Sequence, residues 1–315
     1  MIREGYVKEI KNDIVVDEIK FFFFGCWNKN ACDELSNLTA VVDEIETKSF
    51  HFGIICGDNV YPDKSKNKDG DKVKDFPPNR LRNGIKCLSR INKPLYAVLG
   101  NHDIENCNVM DEMFNIKKDN NLWNIGTLYG LHFIQNQTLM LFIDTNLFNE
   151  DNNCYKTRNK NIRGECEKTI KWIDHQISLA IMANDITNII IVGHEPLFAY
   201  KLKKEKIIAT YYNSYIELIN KLLSHNKKII YLCADMHNFQ HIILQSKTGE
   251  GTIEIFVAGT GGASPDKIIN TEDLNNDLTN FETFTSTLLK TDNPYGYCSA
   301  KFSNNNYNIE YKIVT

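Results

Sequence analysis

Five strand-like apolar segments are each followed at once by side chains that could bind a metal ion or move a proton. These side chains are Cys26 after IKFFFFG, Asp58 and Tyr61 after HFGIICG, Asn101, His102 and Asp103 after PLYAVLG, His194 and Glu195 after NIIIVG, and Asp235 and His237 after KIIYLC. A lone histidine behind a strand is more often structural than a ligand. The carboxyl ends of strands in α/β folds meet at one edge, however, where sites gather. Because carboxylate, phenol, amide and imidazole groups suit Fe, Mn, Zn or Mg, the pattern predicts a dinuclear metal centre.

The segments between these motifs predict the elements that must position them. Most strand-like runs are continuously apolar, as expected for strands covered on both faces. Amphipathic helices are predicted within residues 32–49, 164–185 and 213–226, and an alternating pattern predicts a β-hairpin or a pair of edge strands at 295–315. Strands that alternate with helices indicate a layered α/β fold. Without a repeat or a linker, residues 18–315 are predicted to form a single domain, and residues 1–17 an N-terminal extension or first strand.

Composition limits the kinds of partner. The chain of 315 residues has a formal net charge of -4, and its lysine-rich stretch at 201–206 is expected to be a solvated loop. A general nucleic-acid-binding protein would usually carry a basic face, so no nucleic-acid partner is expected. No apolar run approaches the roughly 20 residues of a membrane span, so no membrane segment is expected in this chain. The polar start, MIREGYVKEIKND, is unlike a signal peptide and favours a cytoplasmic or otherwise intracellular protein.

The nine cysteines form no CxxC pair and no regular framework. Most are therefore predicted to be reduced, buried thiols of an intracellular protein. Cys154 and Cys166 flank a polar loop and are a candidate disulfide pair.

The order of motifs GDNVY, GNHD and VGHEP, followed by a strand that ends near a histidine, resembles the calcineurin-like metallophosphoesterases. The tyrosine of GDNVY is similar to that of the purple (tartrate-resistant) acid phosphatase branch. The likeness runs from about residue 18 to the end of the chain. It implies an α/β fold of four layers, an α/β/β/α sandwich with a dinuclear metal site at the carboxyl-terminal edge of its strands.

The resemblance also implies a role for each matched residue. Asp58 would bridge the two metals. Tyr61 and His237 would bind the first metal, and Asn101 and His194 would bind the second. Asn101 and His102 would contact the substrate, and His102 and Asp103 would be catalytic. The expected cofactors are two divalent or trivalent ions of Fe, Mn or Zn. One metal would lower the pKa of a bound water, and both would hold the phosphate oxygens.

Two ligand positions depart from the family pattern. Cys26 stands where GDxG has an aspartate, and Asp235 stands where GHxH has its first histidine, with Ala234 in place of the glycine. Asp235 keeps an ionisable ligand and favours Mn or Mg over Zn at the second site. Cys26 is either a thiolate ligand for Zn or Fe(II), or a neutral thiol that weakens the first site.

The loop after VGH lacks the histidine that related enzymes often carry. Lys203, or Lys201, would supply positive charge to a phosphate there, and otherwise both are solvated. The predicted function is hydrolysis of a phosphoric ester, as an acid phosphatase-like monoesterase or a phosphodiesterase, with weak activity at an altered centre. The substrate would be a small phosphate ester or a phosphoprotein. The alternative, motivated by the two ligand changes, is an inactive pseudophosphatase that acts as a binding or scaffold protein.

Overall fold

The structure is a computed structural model that describes most of the chain. The described residues are 9–10, 17–29, 36–66, 72–133, 137–148, 153–157, 161–183, 186–203, 206–211, 213–267, 269–270, 272, 274, 279–292, 294–303 and 306–314. Among them, no helix is both long and apolar enough to cross a membrane.

One sheet has six strands, with a parallel part that carries three of the predicted motifs. In chain order its strands are β2 (Glu18–Phe24), β3 (Phe52–Ile55), β6 (Leu95–Ala97), β7 (Trp123–Ile125), β17 (Gly296–Ser303) and β18 (Asn306–Ile313). They lie side by side in the order β18-β17-β2-β3-β6-β7. The strands β2, β3, β6 and β7 are parallel, and the predicted C-terminal hairpin is confirmed by the antiparallel pair β17–β18.

The other large sheet has eight strands and carries the last two motifs. Its strands are β1 (Glu9–Ile10), β8 (Leu128–Phe133), β9 (Thr138–Ile143), β10 (Asn188–Val192), β13 (Lys228–Cys233), β14 (Phe239–Ser246), β15 (Thr252–Ala258) and β16 (Phe284–Asp292), in the order β1-β8-β9-β10-β13-β15-β14-β16. The strands β9, β10, β13 and β15 are parallel. Two hairpins stand apart from the sheets: β4 (Asp63–Lys66) with β5 (Lys72–Asp75), and β11 (Ala199–Lys203) with β12 (Lys206–Thr210).

Six α-helices and three short 3₁₀ helices are described. They are α1 (Asn37–Glu46), α2 (Arg80–Leu88), α3 (Cys107–Asp119), α4 (Asn153–Thr157), α5 (Ile162–Ala183) and α6 (Asn213–Leu223), with η1 (Ser89–Ile91), η2 (His102–Ile104) and η3 (Thr145–Phe148). The three predicted helices are confirmed as α1, α5 and α6. Helix α1 begins only after Ser36, because its hydroxyl accepts the Thr39 N–H at 3.1 Å and caps the helix.

The phenylalanine run of β2 shows how the layers form. Phe21 and Phe23 point into a cluster shared by both sheets, whereas Phe22 and Phe24 point into the cluster that includes the helices. Across the sheets, the ring of Phe52 stacks on that of Phe133 with centroids 5.6 Å apart. Each buried phenylalanine contributes about 1.5–3 kcal/mol of transfer free energy. An uninterrupted apolar run is therefore what a strand covered on both faces requires.

The helices pack on the outer faces of the two sheets. Val41 of α1, Leu88 of α2 and Met113 of α3 share the outer cluster with β2, β3 and β6; Ile173 of α5 and Leu218 of α6 share it with β9, β10 and β13. The predicted four-layer α/β/β/α sandwich is confirmed. The lysine-rich stretch at 201–206 differs from the prediction, because residues 201–203 and 206 pair within the β11–β12 hairpin.

The cysteine prediction is partly wrong. Cys154 forms a disulfide with Cys107, 47 positions away, and not with Cys166. The reason is tertiary, since the start of α3 lies beside α4 with the two Cα atoms 5.4 Å apart. Cys87 is also disulfide-bonded. Four cysteines follow the prediction as buried thiols: Cys26, Cys56, Cys233 and Cys298. The compartment, which was predicted partly from reduced thiols, stays a prediction.

Candidate metal centre

The motif residues of both sheets meet at one edge of the sandwich. The turns after β2, β3 and β6 come from the six-stranded sheet, and those after β10 and β13 come from the eight-stranded sheet. Main-chain hydrogen bonds join the turns. The Cys26 N–H donates to Gly57 O at 3.1 Å, and the Gly25 N–H donates to Ala258 O of the other sheet at 2.8 Å. The side chains that follow the strands are therefore held on a connected main-chain frame.

Three of the candidate ligands have left-handed backbone conformations. The φ angles are 54° at Cys26, 52° at Asp58 and 61° at Asp235. This conformation costs an ordinary L-residue roughly 1–2 kcal/mol, and aspartate tolerates it better than most. A glycine lies against one of these turns, because a Cβ on Gly100 would be 2.1 Å from the Asp58 nitrogen. Strain that recurs at three turns of one cluster points to a functional site.

Asp58 lies at the middle of the cluster and is 1% exposed. Its Oδ1 is 3.2 Å from Nε2 of His194 and accepts the His102 N–H at 3.1 Å. Its Oδ2 is 3.8 Å from the sulfur of Cys26. The two oxygens of one carboxylate therefore face two different groups of side chains.

The first ligand set is Cys26, Asp58, Tyr61 and His237. One ligand atom from each of Cys26, Asp58 and His237 lies within 4.8 Å of the others. The Tyr61 hydroxyl oxygen is 3.2 Å from Nε2 of His237. Burial and the Asp58 carboxylate raise the pKa of both the Cys26 thiol and the Tyr61 phenol well above their usual ranges. A bound cation would supply the charge that makes such groups anionic ligands.

The second ligand set is Asp58, Asn101, His194 and Asp235. Nε2 of His194 is 3.2 Å from Oδ1 of Asn101 and 3.7 Å from Oδ1 of Asp235. Its Nδ1 is 2.7 Å from Cys56 O, which leaves Nε2 directed at the carboxylates. Burial opposes protonation of His194, but the charges of Asp58 and Asp235 outweigh it and raise its pKa to about 9. The negative charge of these two carboxylates makes the second set a suitable site for a cation.

Both ligand changes noted in the sequence lie inside these sets. Cys26 occupies the first set and Asp235 the second, each on its own strand-end turn. The methyl group of Ala234 lies close to the turn after β2, since a Cβ on Gly25 would be 2.5 Å from it. The donors fit two metal ions that share Asp58, with a soft sulfur in the first set and only oxygen and nitrogen donors in the second.

His102 lies beside the first set without belonging to it. Its ring packs against the Tyr61 ring with centroids 4.6 Å apart, and Nδ1 is 3.0 Å from Oε1 of Glu105. In a 3₁₀ turn such as η2, the side chains of residues three apart lie directly above one another, so the Glu105 carboxylate lies next to the His102 imidazole. With Nδ1 engaged, Nε2 is the ring nitrogen left to act on a substrate.

Asp103, predicted to be catalytic, has a connecting position in the structure. Its carboxylate is 0% exposed. It accepts hydrogen bonds from the N–H groups of Asn59 (2.8 Å), Val60 (3.1 Å) and Gly100 (2.7 Å), and from the Asn59 side-chain amide (2.7 Å). These bonds tie the GDNVY loop to the GNHD loop, so this side chain positions the ligands of both motifs.

Lysine positions bear on the predicted phosphate contact. Lys203 is exposed at the end of β11 and pairs with Lys206 across the hairpin. Lys201 is partly buried in the same strand. Neither has an observed contact with the two ligand sets among the described residues.

Sequence reasoning missed three residues that contact the candidate site. Glu105 contacts His102, and its only signal is the i, i+3 spacing from that histidine. Ser264 and Asp266 both contact His237 from a loop after β15, and nothing in their spacing indicates this. The buried Glu195 instead accepts a hydrogen bond from the Tyr215 hydroxyl at 2.8 Å, which anchors the VGHEP turn to α6.

Comparison with known proteins identifies the sequence pattern and the fold. The family model described as "Calcineurin-like phosphoesterase" matches residues 19–239. The comparison with curated proteins gives no match. Among solved structures, the chain is similar to GAP50, described as the anchor in the inner membrane complex of Plasmodium, with a TM-score of 0.62, 18% identity, and coverage of 95% of this chain and 85% of that one. It is also similar to PhoD, with a TM-score of 0.61, 12% identity, and coverage of 95% and 66%. At these identities the structural likeness shows the fold alone.

Proposed function

Because the chain belongs to the calcineurin-like phosphoesterase family, we propose that it is a metal-dependent phosphoric ester hydrolase with an altered dinuclear centre. The observation that carries this proposal is the position of Asp58. One buried carboxylate faces the sulfur of Cys26 with one oxygen and the imidazole of His194 with the other. A shared carboxylate between two ligand sets is the arrangement that a two-metal hydrolase needs.

The residues of the candidate metal centre would have separate roles in hydrolysis. When bound, two metal ions would supply an activated water and charge that stabilises the phosphate oxygens. Cys26, Tyr61 and His237 would hold the ion of the first set, and Asn101, His194 and Asp235 that of the second. His102 would orient its Nε2 toward the substrate and deliver a proton to the leaving oxygen, while Glu105 retains Nδ1. Asp103 would keep the two ligand loops in register.

We propose a small phosphate ester or a phosphoprotein as the substrate. A formal net charge of -4 gives no general attraction to nucleic acid, which supports this class over a polynucleotide. Iron or zinc is favoured in the first set by the thiol and the phenol, and manganese in the second by Asp235. Cleavage of a monoester, as in acid phosphatases, is the reaction we place first.

The test is a screen of metal content and activity on the full chain. Protein purified without chelator is loaded with Mn, Fe, Zn or Mg and assayed with an aryl phosphate monoester and a diester. Two ions per chain and turnover that Asp58→Ala abolishes are expected. Metal-loaded protein without turnover on either reporter would contradict the hydrolase.

The second candidate is an inactive binding or scaffold protein on the same fold. Two observations favour it. Cys26 replaces a carboxylate ligand with a thiol whose pKa burial raises, and the similar structure GAP50 is described as an anchor. Absence of bound metal at micromolar free metal would support this candidate over the enzyme.

A further inference from the structure

Residues 261–266, which follow β15, contact two of the three turns that carry ligands of the first set, the turn at Cys26 and the turn at His237. On one side, the N–H groups of Gly261 and Ala263 donate to the carbonyl oxygens of Gly25 at 3.1 Å and Cys26 at 2.8 Å. On the other side, Ser264 O lies 3.0 Å from Nδ1 of His237. One loop therefore holds the cysteine turn and the histidine of the same candidate metal site.

Asp266 forms two hydrogen bonds with the main chain of His237. Its Oδ2 accepts the His237 N–H at 2.9 Å, and its own N–H donates to His237 O at 2.7 Å. We propose that Asp266 is a positioning residue for the first metal ion, acting by fixing His237 so that Nε2 faces Cys26, Asp58 and Tyr61. The inference rests on the metal centre of the proposed function.

The main chain at His237 has no strand to hold it. Residues 235–238 form tight bends, in which the Met236 N–H donates to Ala234 O at 2.7 Å and the Asn238 N–H donates to Met236 O at 2.8 Å. Strand β14 begins only at Phe239. The paired bonds with Asp266 supply the restraint that a sheet would otherwise give.

The ring of His237 is restrained by the same loop. A Nδ1–H that donates to the Ser264 carbonyl oxygen selects the tautomer with a lone pair on Nε2, the form that binds a metal ion. That nitrogen is 3.2 Å from the Tyr61 hydroxyl oxygen. This contact uses the main-chain carbonyl of Ser264. The orientation of the His237 ring is therefore fixed by the path of the loop and not by the serine side chain.

The matched variants separate positioning from general loop stability. Asp266→Ala removes the acceptor for the His237 N–H. Asp266→Asn keeps an oxygen acceptor and should therefore retain metal binding at the first site. Ser264→Ala keeps the carbonyl and serves as the control in the same loop. Thermal unfolding of all three shows that each variant is folded.

The experiment titrates the full chain with zinc and with cobalt(II). For Asp266→Ala we expect first-site affinity to fall about tenfold to hundredfold, with one ion retained per chain. The absorption band from the Cys26 thiolate to cobalt should weaken in parallel. Asp266→Asn and Ser264→Ala should remain within about threefold of wild type. Binding of both ions by Asp266→Ala with wild-type affinity would overturn the proposal.

A second measurement tests the role of Asp266 without using hydrolase activity. In metal-free, ¹⁵N-histidine-labelled protein, ring nitrogen shifts report the His237 tautomer, with His237→Gln for assignment. We expect a protonated Nδ1 in wild type and an averaged tautomer in Asp266→Ala. Identical shifts would overturn the positioning role. If wild type binds metal but hydrolyses nothing, the proposed function fails while the titration still decides on Asp266.

Discussion

The hydroxyl oxygen of Tyr61 lies 3.2 Å from Nε2 of His237, although 176 positions separate the two residues. Tyr61 follows a strand of the six-stranded sheet, and His237 follows a strand of the eight-stranded sheet. The pair shows that the first ligand set is assembled where the two sheets meet.

Asp58→Ala should remove both metal ions. Because the two oxygens of Asp58 face different ligand sets, its loss should weaken both sites, whereas Asn101→Ala should weaken only the second. Metal per chain, measured by mass spectrometry after dialysis against a fixed free-metal concentration, distinguishes the two variants. Retention of two ions in Asp58→Ala would show that this carboxylate is not the bridge.

His102→Ala should lower turnover and leave the metal content unchanged. Its ring lies against Tyr61, but its Nδ1 is hydrogen-bonded to Glu105, which is not one of the candidate metal ligands. Removal of a group that supplies a proton or stabilises charge typically costs about 100-fold in rate. The measurement is kcat on an aryl phosphate together with metal content, and loss of metal would place His102 among the ligands.

Cys26→Asp and Asp235→His together should raise metal affinity and phosphatase activity. Both new side chains belong to types that tolerate the left-handed backbone of these positions. Since the two sites share Asp58, the effects should be coupled and not additive. The comparison is kcat/KM of the four proteins across Mn, Fe and Zn, where Asp235→His should shift the preference of the second site from Mn toward Fe or Zn.

Two outcomes of that cycle would change the interpretation. A double variant that binds two ions but is no more active would show that the ligand changes do not limit catalysis. Loss of existing activity in Cys26→Asp would show that the thiolate is a working ligand.

Glu254→Gln should destabilise the protein at neutral pH but not in strong acid. Burial opposes ionisation of Glu254, but bonds from His241, Lys228 and Tyr307 outweigh it and lower its pKa from 4.5 to about 2. A lowered pKa stabilises the fold above pH 4.5, and that contribution disappears as the pH falls toward 2. The difference in unfolding free energy between wild type and Glu254→Gln should therefore narrow over this interval.

Urea unfolding of metal-free protein at several pH values measures this effect. Glu250→Gln, which removes a carboxylate from an exposed turn next to the same strand, is the matched control for the loss of one charge. A constant difference between wild type and Glu254→Gln across the interval would contradict the assignment.

The parts of this molecule that sequence reasoning predicts well are those with a local cause. The buried parallel strands appear as apolar runs because both of their faces are covered, and parallel strands deliver the residues that follow them to one edge. That is why the structure brings Asp58, Asn101 and His194 together from three separate motifs. The layered α/β class followed from these runs and the helices between them, and the four-layer arrangement followed from the resemblance to the family.

The parts that were missed depend on the path of loops and on helix packing. Asp266 reaches His237 across 29 positions of chain, and Cys107 reaches Cys154 across 47. Neither contact leaves a periodic trace in the sequence. Helices α2 and α3 and the hairpin β11–β12 were also not predicted.

The division of the ligands between the two sheets has a mechanical consequence. Cys26, Asp58, Tyr61 and Asn101 belong to one half of the sandwich, and His194, Asp235 and His237 belong to the other. An ion coordinated from both halves would cross-link the two sheets at the edge where the motif turns meet. At a free-metal concentration of a hundred times Kd, such a cross-link adds about 2.7 kcal/mol to the folded state. Chelation would remove this contribution, so the free energy of unfolding would depend on the free-metal concentration.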